Sequence, residues 1–89
     1  MRVINILVVD DHAIIREGLK MLLGARDDLV VIGEAERGEE ACQLAQSLQP
    51  DVIIMDVSMP GLGGAAATRR LKLHTNCLIP AYRNPYITA

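Results

Sequence analysis

The chain of 89 residues contains no tryptophan and no phenylalanine, and Tyr82 and Tyr86 are its only aromatics. A core without large rings has to be aliphatic, built from Val, Ile, Leu, Met and Ala. The 51% hydrophobic content supplies that core and marks a globular chain rather than a disordered one. No apolar run approaches the roughly eighteen residues that span a bilayer, and the opening Met1-Arg2-Val3-Ile4-Asn5 leads into a strand pattern rather than a signal peptide, so the expected location is cytoplasmic, with no membrane partner. Positive charge is not in excess either. With a formal net charge of -2 and no basic stripe, nothing points to direct binding of nucleic acid. The two cysteines, Cys42 and Cys77, lack CxxC spacing and a paired-His pattern, which argues against a disulfide framework or a zinc site and leaves free thiols. At this length there is one domain with a modest core.

What is present is an alternation of two periodicities. Val3 to Val9 is a β-branched, Leu-rich run of the kind buried on both faces of a parallel sheet, and it ends at Asp10-Asp11. From about Ala13 to Leu23, Ile15, Leu19 and Leu22 recur at helical spacing, with Asp11 or His12 placed as N-cap and Gly24 as terminator. Leu29 to Ala35 reads as a second strand and Glu39 to Leu48 as a second helix, with Glu39-Glu40 in its first turn and Pro50 closing it. Val52 to Met55 is a third strand, and Ala65 to Leu71 a short third helix after the loop Gly61-Leu62-Gly63-Gly64. Strand and helix in strict alternation give an α/β fold with an open parallel sheet, which binds ligands beyond the carboxyl ends of its strands.

Beyond Lys72 the composition changes. Leu73 to Ala89 holds no Asp or Glu, both tyrosines and two of the four prolines, Pro80 and Pro85, and no helical period is visible. Residues 1–72 therefore read as the core and 73–89 as a divergent tail, with residues 86–89 as a candidate short fourth strand.

Three carboxylates stand at strand ends: Asp10 and Asp11 after the first strand, Asp56 after the third. A single Asp at a strand end is usually a turn residue, and Asp-Asp before a helix is commonly a cap. If the first and third strands are neighbours, however, all three converge on one crevice, where they repel one another unless they share a cation. A hard divalent ion with oxygen ligands, such as Mg2+, meets that need, and a metal beside a carboxylate suits phosphoryl chemistry with the carboxylate as nucleophile. Asp56, alone at the tip of a rigid strand, fits that role better than either member of the pair. His12 reads as a cap or loop residue rather than a ligand, and His74 lies in the tail with no ligand spacing. Ser58 lacks a partnered base and a GxSxG elbow, the glycine loop departs from GxGxxG, and Cys42 has no partner that would activate it.

Val8-Val9-Asp10-Asp11-His12 together with Met55-Asp56-Val57-Ser58-Met59-Pro60-Gly61-Leu62-Gly63-Gly64 resembles the receiver domain of bacterial two-component response regulators, in the group that carries a LuxR-type helix-turn-helix output. The resemblance covers about residues 3 to 72. It implies a flavodoxin-like fold, here of about three βα units, and a phosphoprotein in a phosphorelay that regulates transcription. Asp56 is implied to accept a phosphoryl group from a histidine kinase, Asp10 and Asp11 to bind Mg2+ with Asp56, and the backbone carbonyl of Ser58 to complete the metal shell. The family also uses a Thr or Ser ending the fourth strand, for which Thr88 is the candidate, and a Lys after the fifth, for which nothing follows Lys72. The resemblance thus implies a receiver truncated or degenerate beyond residue 72. Two rival readings stay open: a non-switching module that decoys a kinase or forms a homo- or heterodimer through the exposed edge of the third strand, and a metal-dependent aspartyl-phosphate phosphohydrolase, disfavoured because Ser58 stands where such enzymes place a second Asp. The expectation is a phosphoacceptor, not an enzyme.

Overall fold

The computed structural model describes residues 2–56, 69–70 and 79–82. The elements, in chain order, are β1 (Ile4–Val9), α1 (Ala13–Gly24), β2 (Leu29–Ala35), α2 (Gly38–Leu48), β3 (Val52–Asp56) and β4 (Ala81–Tyr82). The strands form one sheet in the order β2-β1-β3-β4, and every pairing is parallel. β1 is therefore central. From Ile6 to Val9 it is buried on both faces, as its uninterrupted apolar sequence requires.

The larger part of the core lies on the α2 side of the sheet. Leu7 and Val9 of β1, Ala35 of β2 and Ile53 and Met55 of β3 pack against Ala41, Cys42 and Ala45 of α2, with Leu44 and Ile79 at the margin. Small residues on α2 let the helix sit close to the strands. The fully buried Leu7, Ile53 and Met55 supply the volume, each contributing about 1.5–3 kcal/mol of burial. Gly33 serves the same approach. A Cβ there would stand 2.8 Å from Leu48 Cδ1 and 3.3 Å from Leu7 Cδ1. Helix α2 carries Glu39 and Glu40 in its first turn, where the helix dipole favours acids. It ends at Gln49, a non-glycine residue in the left-handed region (φ 48°, ψ 60°), just before Pro50.

On the other face, α1 differs from the helix its apolar spacing suggests. Ile15 and Leu19 turn toward the sheet as expected, but Leu22 is 73% exposed, as are Ile14 at 85% and Met21 at 76%. Besides Gly18, the half-buried positions are Ile15, Arg16, Leu19, Lys20 and Leu23, whose side chains form an inward face rolled by roughly 60° from the Ile15-Leu19-Leu22 stripe. Arg16 and Lys20 turn inward because Glu34, on β2, accepts hydrogen bonds from both: Arg16 Nε at 3.0 Å and Lys20 Nζ at 2.8 Å.

Glu34 reaches α1 because of an irregularity in β2. Ile6 pairs with Val31 but Leu7 pairs with Gly33, so Ile32 is an extra residue in the ladder. Since side chains alternate between faces, that one insertion reverses the phase of Gly33, Glu34 and Ala35. Gly33 and Ala35 thereby share a face with Leu7 and Val9 toward α2, and Glu34 shares one with Val8 toward α1.

The expected N-cap takes another form. His12 occupies the N-cap position, yet neither it nor Asp11 caps the helix with its side chain. Instead Asp10 Oδ1 accepts the His12 backbone N–H at 2.8 Å, closing a turn between strand and helix. Arg69 and Arg70, within the span read as a third helix, are helical and exposed. A fourth strand does stand beside β3, at Ala81–Tyr82: Met55 pairs with Ala81, Asp56 with Tyr82, and Met55 N–H donates to the Pro80 carbonyl at 3.0 Å. The candidate strand at 86–89 lies outside the described residues.

Candidate phosphoacceptor and metal site

The parallel pairing of β1 with β3 decides where the acids stand. Val9 is in register with Met55, so the next residue along each strand, Asp10 and Asp56, emerges at the same end of the sheet. Both are fully buried. With Asp11 and His12 they form a group whose candidate ligand atoms all lie within 4.8 Å of one another. The three carboxylates singled out in the sequence are thus brought together. Ser58 and Thr88 lie outside the described residues, and the residue in register with Asp56 on β4 is Tyr82.

His12, read from sequence as a cap or loop residue, belongs to this cluster. Its Nδ1 stands 2.9 Å from Asp10 Oδ1 and 3.0 Å from Asp11 Oδ1. The hydrogen bond to Asp10 raises the imidazole pKa above its ordinary value, and the charges of Asp11, Asp10 and Asp56 push the same way against partial desolvation. The shift favours the protonated imidazole beside the acids. The signal was present in the sequence as the spacing Asp10-Asp11-His12, since a turn closed by the first residue folds the third back onto it.

The donor set suits a hard divalent cation. All three acids present carboxylate oxygens, and Asp11 Oδ1 is buried with no hydrogen bond, its close neighbour being the His12 nitrogen. Asp10, Asp11 and Asp56 are the residues that would hold such an ion.

The backbone of this corner is fixed on several sides. Asp10 N–H donates to the Ala35 carbonyl at 3.0 Å, and the Asp10 carbonyl accepts Arg16 Nη1 at 2.7 Å. Arg16 went unremarked in the sequence. Its signal was a cation inside an apolar helical face, matched by Glu34 inside an otherwise apolar strand.

A family model described as the response regulator receiver domain matches residues 6–81, continuing past the change of composition near Lys72 to the first residue of β4. Among curated relatives, response regulator GacA of Pseudomonas viridiflava is 52% identical over 68 residues, 76% of this chain and 32% of that protein. The nitrate/nitrite response regulator protein NarL of Escherichia coli is 43% identical over a segment of the same length and shares. The match to these relatives spans about a third of their length. Among solved structures, the response regulator domain of Thermotoga maritima CheB superposes with a TM-score of 0.87 at 40% identity, covering 90% of this chain and 60% of that one. The signal receiver domain of a NarL regulator from Mycobacterium tuberculosis gives 0.82 at 30% identity, covering 97% and 73%. A flavodoxin-like parallel sheet with Asp10, Asp11 and Asp56 gathered at one end, and a family match over most of its length, establish that the chain belongs to the response regulator receiver domains.

Proposed function

We propose that this receiver accepts a phosphoryl group on Asp56, with Mg2+ held by Asp10, Asp11 and Asp56, in a relay fed by a histidine kinase in the cytoplasm. The observation that carries the reading is the placement of Asp56: a carboxylate at the tip of a buried central strand, within 4.8 Å of a second and a third carboxylate. An Asp56 oxygen attacks phosphorus in line as the bond from phosphorus to the donor's histidine nitrogen breaks, the electron pair of that bond staying on the nitrogen; with the other ring nitrogen carrying a proton, the products are an aspartyl phosphate and a neutral imidazole on the kinase. Mg2+ held by these three carboxylates would neutralise charge on the transferring phosphoryl oxygens. The chain is in this reading a substrate of the kinase and not itself an enzyme. Rigid strands on both sides of the crevice hold the nucleophile in place, and the Asp10 turn holds the opposing pair.

Its relatives are named as response regulators and, in Bacillus subtilis, as the transcriptional regulatory protein YdfI, which supports placing the relay upstream of transcription. Acetyl phosphate with Mg2+ tests the proposal: one added phosphoryl by mass in the wild type, and none in Asp56→Asn. No adduct, joined to a concentration-dependent molecular size, would favour the decoy or dimerisation module instead.

A further inference from the structure

Resting on the metal-assisted reading above, we propose that Arg16 is a positioning residue of the acidic site, acting through the peptide that joins Asp10 to Asp11. The carbonyl of that peptide accepts Arg16 Nη1 at 2.7 Å. Its orientation decides where the Asp11 backbone begins, and hence where the Asp11 carboxylate points. The other side of Asp10 is already fixed, since its N–H donates to Ala35 and its Oδ1 accepts from His12. Arg16 adds a constraint on the carbonyl side.

The guanidinium is itself held. Its Nε donates to Glu34 Oε1 at 3.0 Å and its Nη2 to Glu36 Oε1 at 3.3 Å, and its side chain is only 12% exposed. The second oxygen of Glu34 is occupied by Lys20, so the carboxylate cannot swing away without breaking both contacts. The path runs from the extra residue in β2, which turns Glu34 toward α1, through the planar fork of Arg16 to the Asp10 carbonyl. A lysine carries the same charge but cannot bridge a carboxylate and a carbonyl with one rigid group.

Charge and positioning act in opposite directions here, which makes the role testable. A cation near three carboxylates opposes Mg2+, so removing Arg16 by charge alone would tighten metal binding. Loss of positioning would weaken it, and partners outside the first layer of ligands typically matter by ten-fold or more.

The experiment is a Mg2+ titration of the full chain, followed by the backbone amide resonances of Asp11 and His12, in wild type, Arg16→Met, Arg16→Lys and Glu34→Gln. Arg16→Met is expected to weaken Mg2+ about ten-fold. Arg16→Lys is expected to weaken it too, with charge retained and with an unfolding midpoint in the absence of metal close to that of the wild type. If Arg16→Met fails to fold, Arg16→Lys and Glu34→Gln carry the test. Folded variants that bind Mg2+ as tightly as the wild type, or more tightly, overturn the positioning role alone. A wild type with no Mg2+ response overturns the metal reading and this inference with it.

Discussion

Glu34 and Arg16 meet at 3.0 Å across the interface between the second strand and the first helix, and the same guanidinium reaches on to the Asp10 carbonyl at 2.7 Å. A carboxylate on the edge strand β2 is thereby tied to the loop that carries the acidic pair. On the same helix Ile14, Met21 and Leu22 face outward.

The pH dependence of stability follows from that contact. Lys20, and then Arg16, hold the Glu34 carboxyl below the usual glutamate range. A depressed folded pKa contributes stability that is present above the unfolded value of about 4.3 and is lost as pH falls through the folded one. Urea unfolding at neutral pH is expected to show the wild type more stable than Glu34→Gln. The gap should close below about pH 4, and one independent of pH would contradict the assignment.

Packing between α2 and the sheet gives a second test. Gly33→Ala puts a methyl group 2.8 Å from Leu48 Cδ1, and because Leu48 is partly exposed it can yield. The expected loss is at the low end of overpacking, about 1 kcal/mol by urea melts. Gly33→Ala in a Leu48→Ala background should cost less, which a double-mutant cycle would register as coupling.

The end of α2 offers a stabilising change. Gln49 holds φ 48° with its N–H bonded to the Ala45 carbonyl at 3.0 Å. A side chain there opposes the left-handed backbone that glycine adopts freely, so Gln49→Gly is expected to raise stability by up to about 1 kcal/mol. A loss of stability would show that the Gln49 side chain contributes more than its backbone strain costs.

Cys42 is buried in the core and burial pushes its thiol pKa up, only partly offset by Arg70. In a Cys77→Ser background it is expected to react with a thiol reagent slowly in the native state and rapidly in urea. Fast labelling of the folded chain would contradict this burial.

Much of the architecture was legible in the residues. The run Val52-Ile53-Ile54-Met55 reads as a buried strand, and setting it beside β1 is enough to bring Asp56 to Asp10 and Asp11. The rest was hidden for physical reasons. An apolar period takes charged residues to face outward, so it could not foresee Arg16 and Lys20 turned inward to a strand carboxylate, nor Leu22 turned out. The extra residue at Ile32 is visible only in the pairing of two strands. β4 was obscured by Pro80, which reads as a strand breaker but sits ahead of the strand and offers β3 its carbonyl, so its missing N–H costs nothing there.

The central claim is that Asp56 takes the phosphoryl group with the help of a metal held by its acidic neighbours. The most direct measurement treats the chain with acetyl phosphate, reduces any acyl phosphate with borohydride and maps the product by peptide mass. Homoserine at position 56 alone, formed with Mg2+ and abolished by a chelator, is the expected result. Homoserine at another aspartate, none at all, or an equal yield without the metal would contradict it.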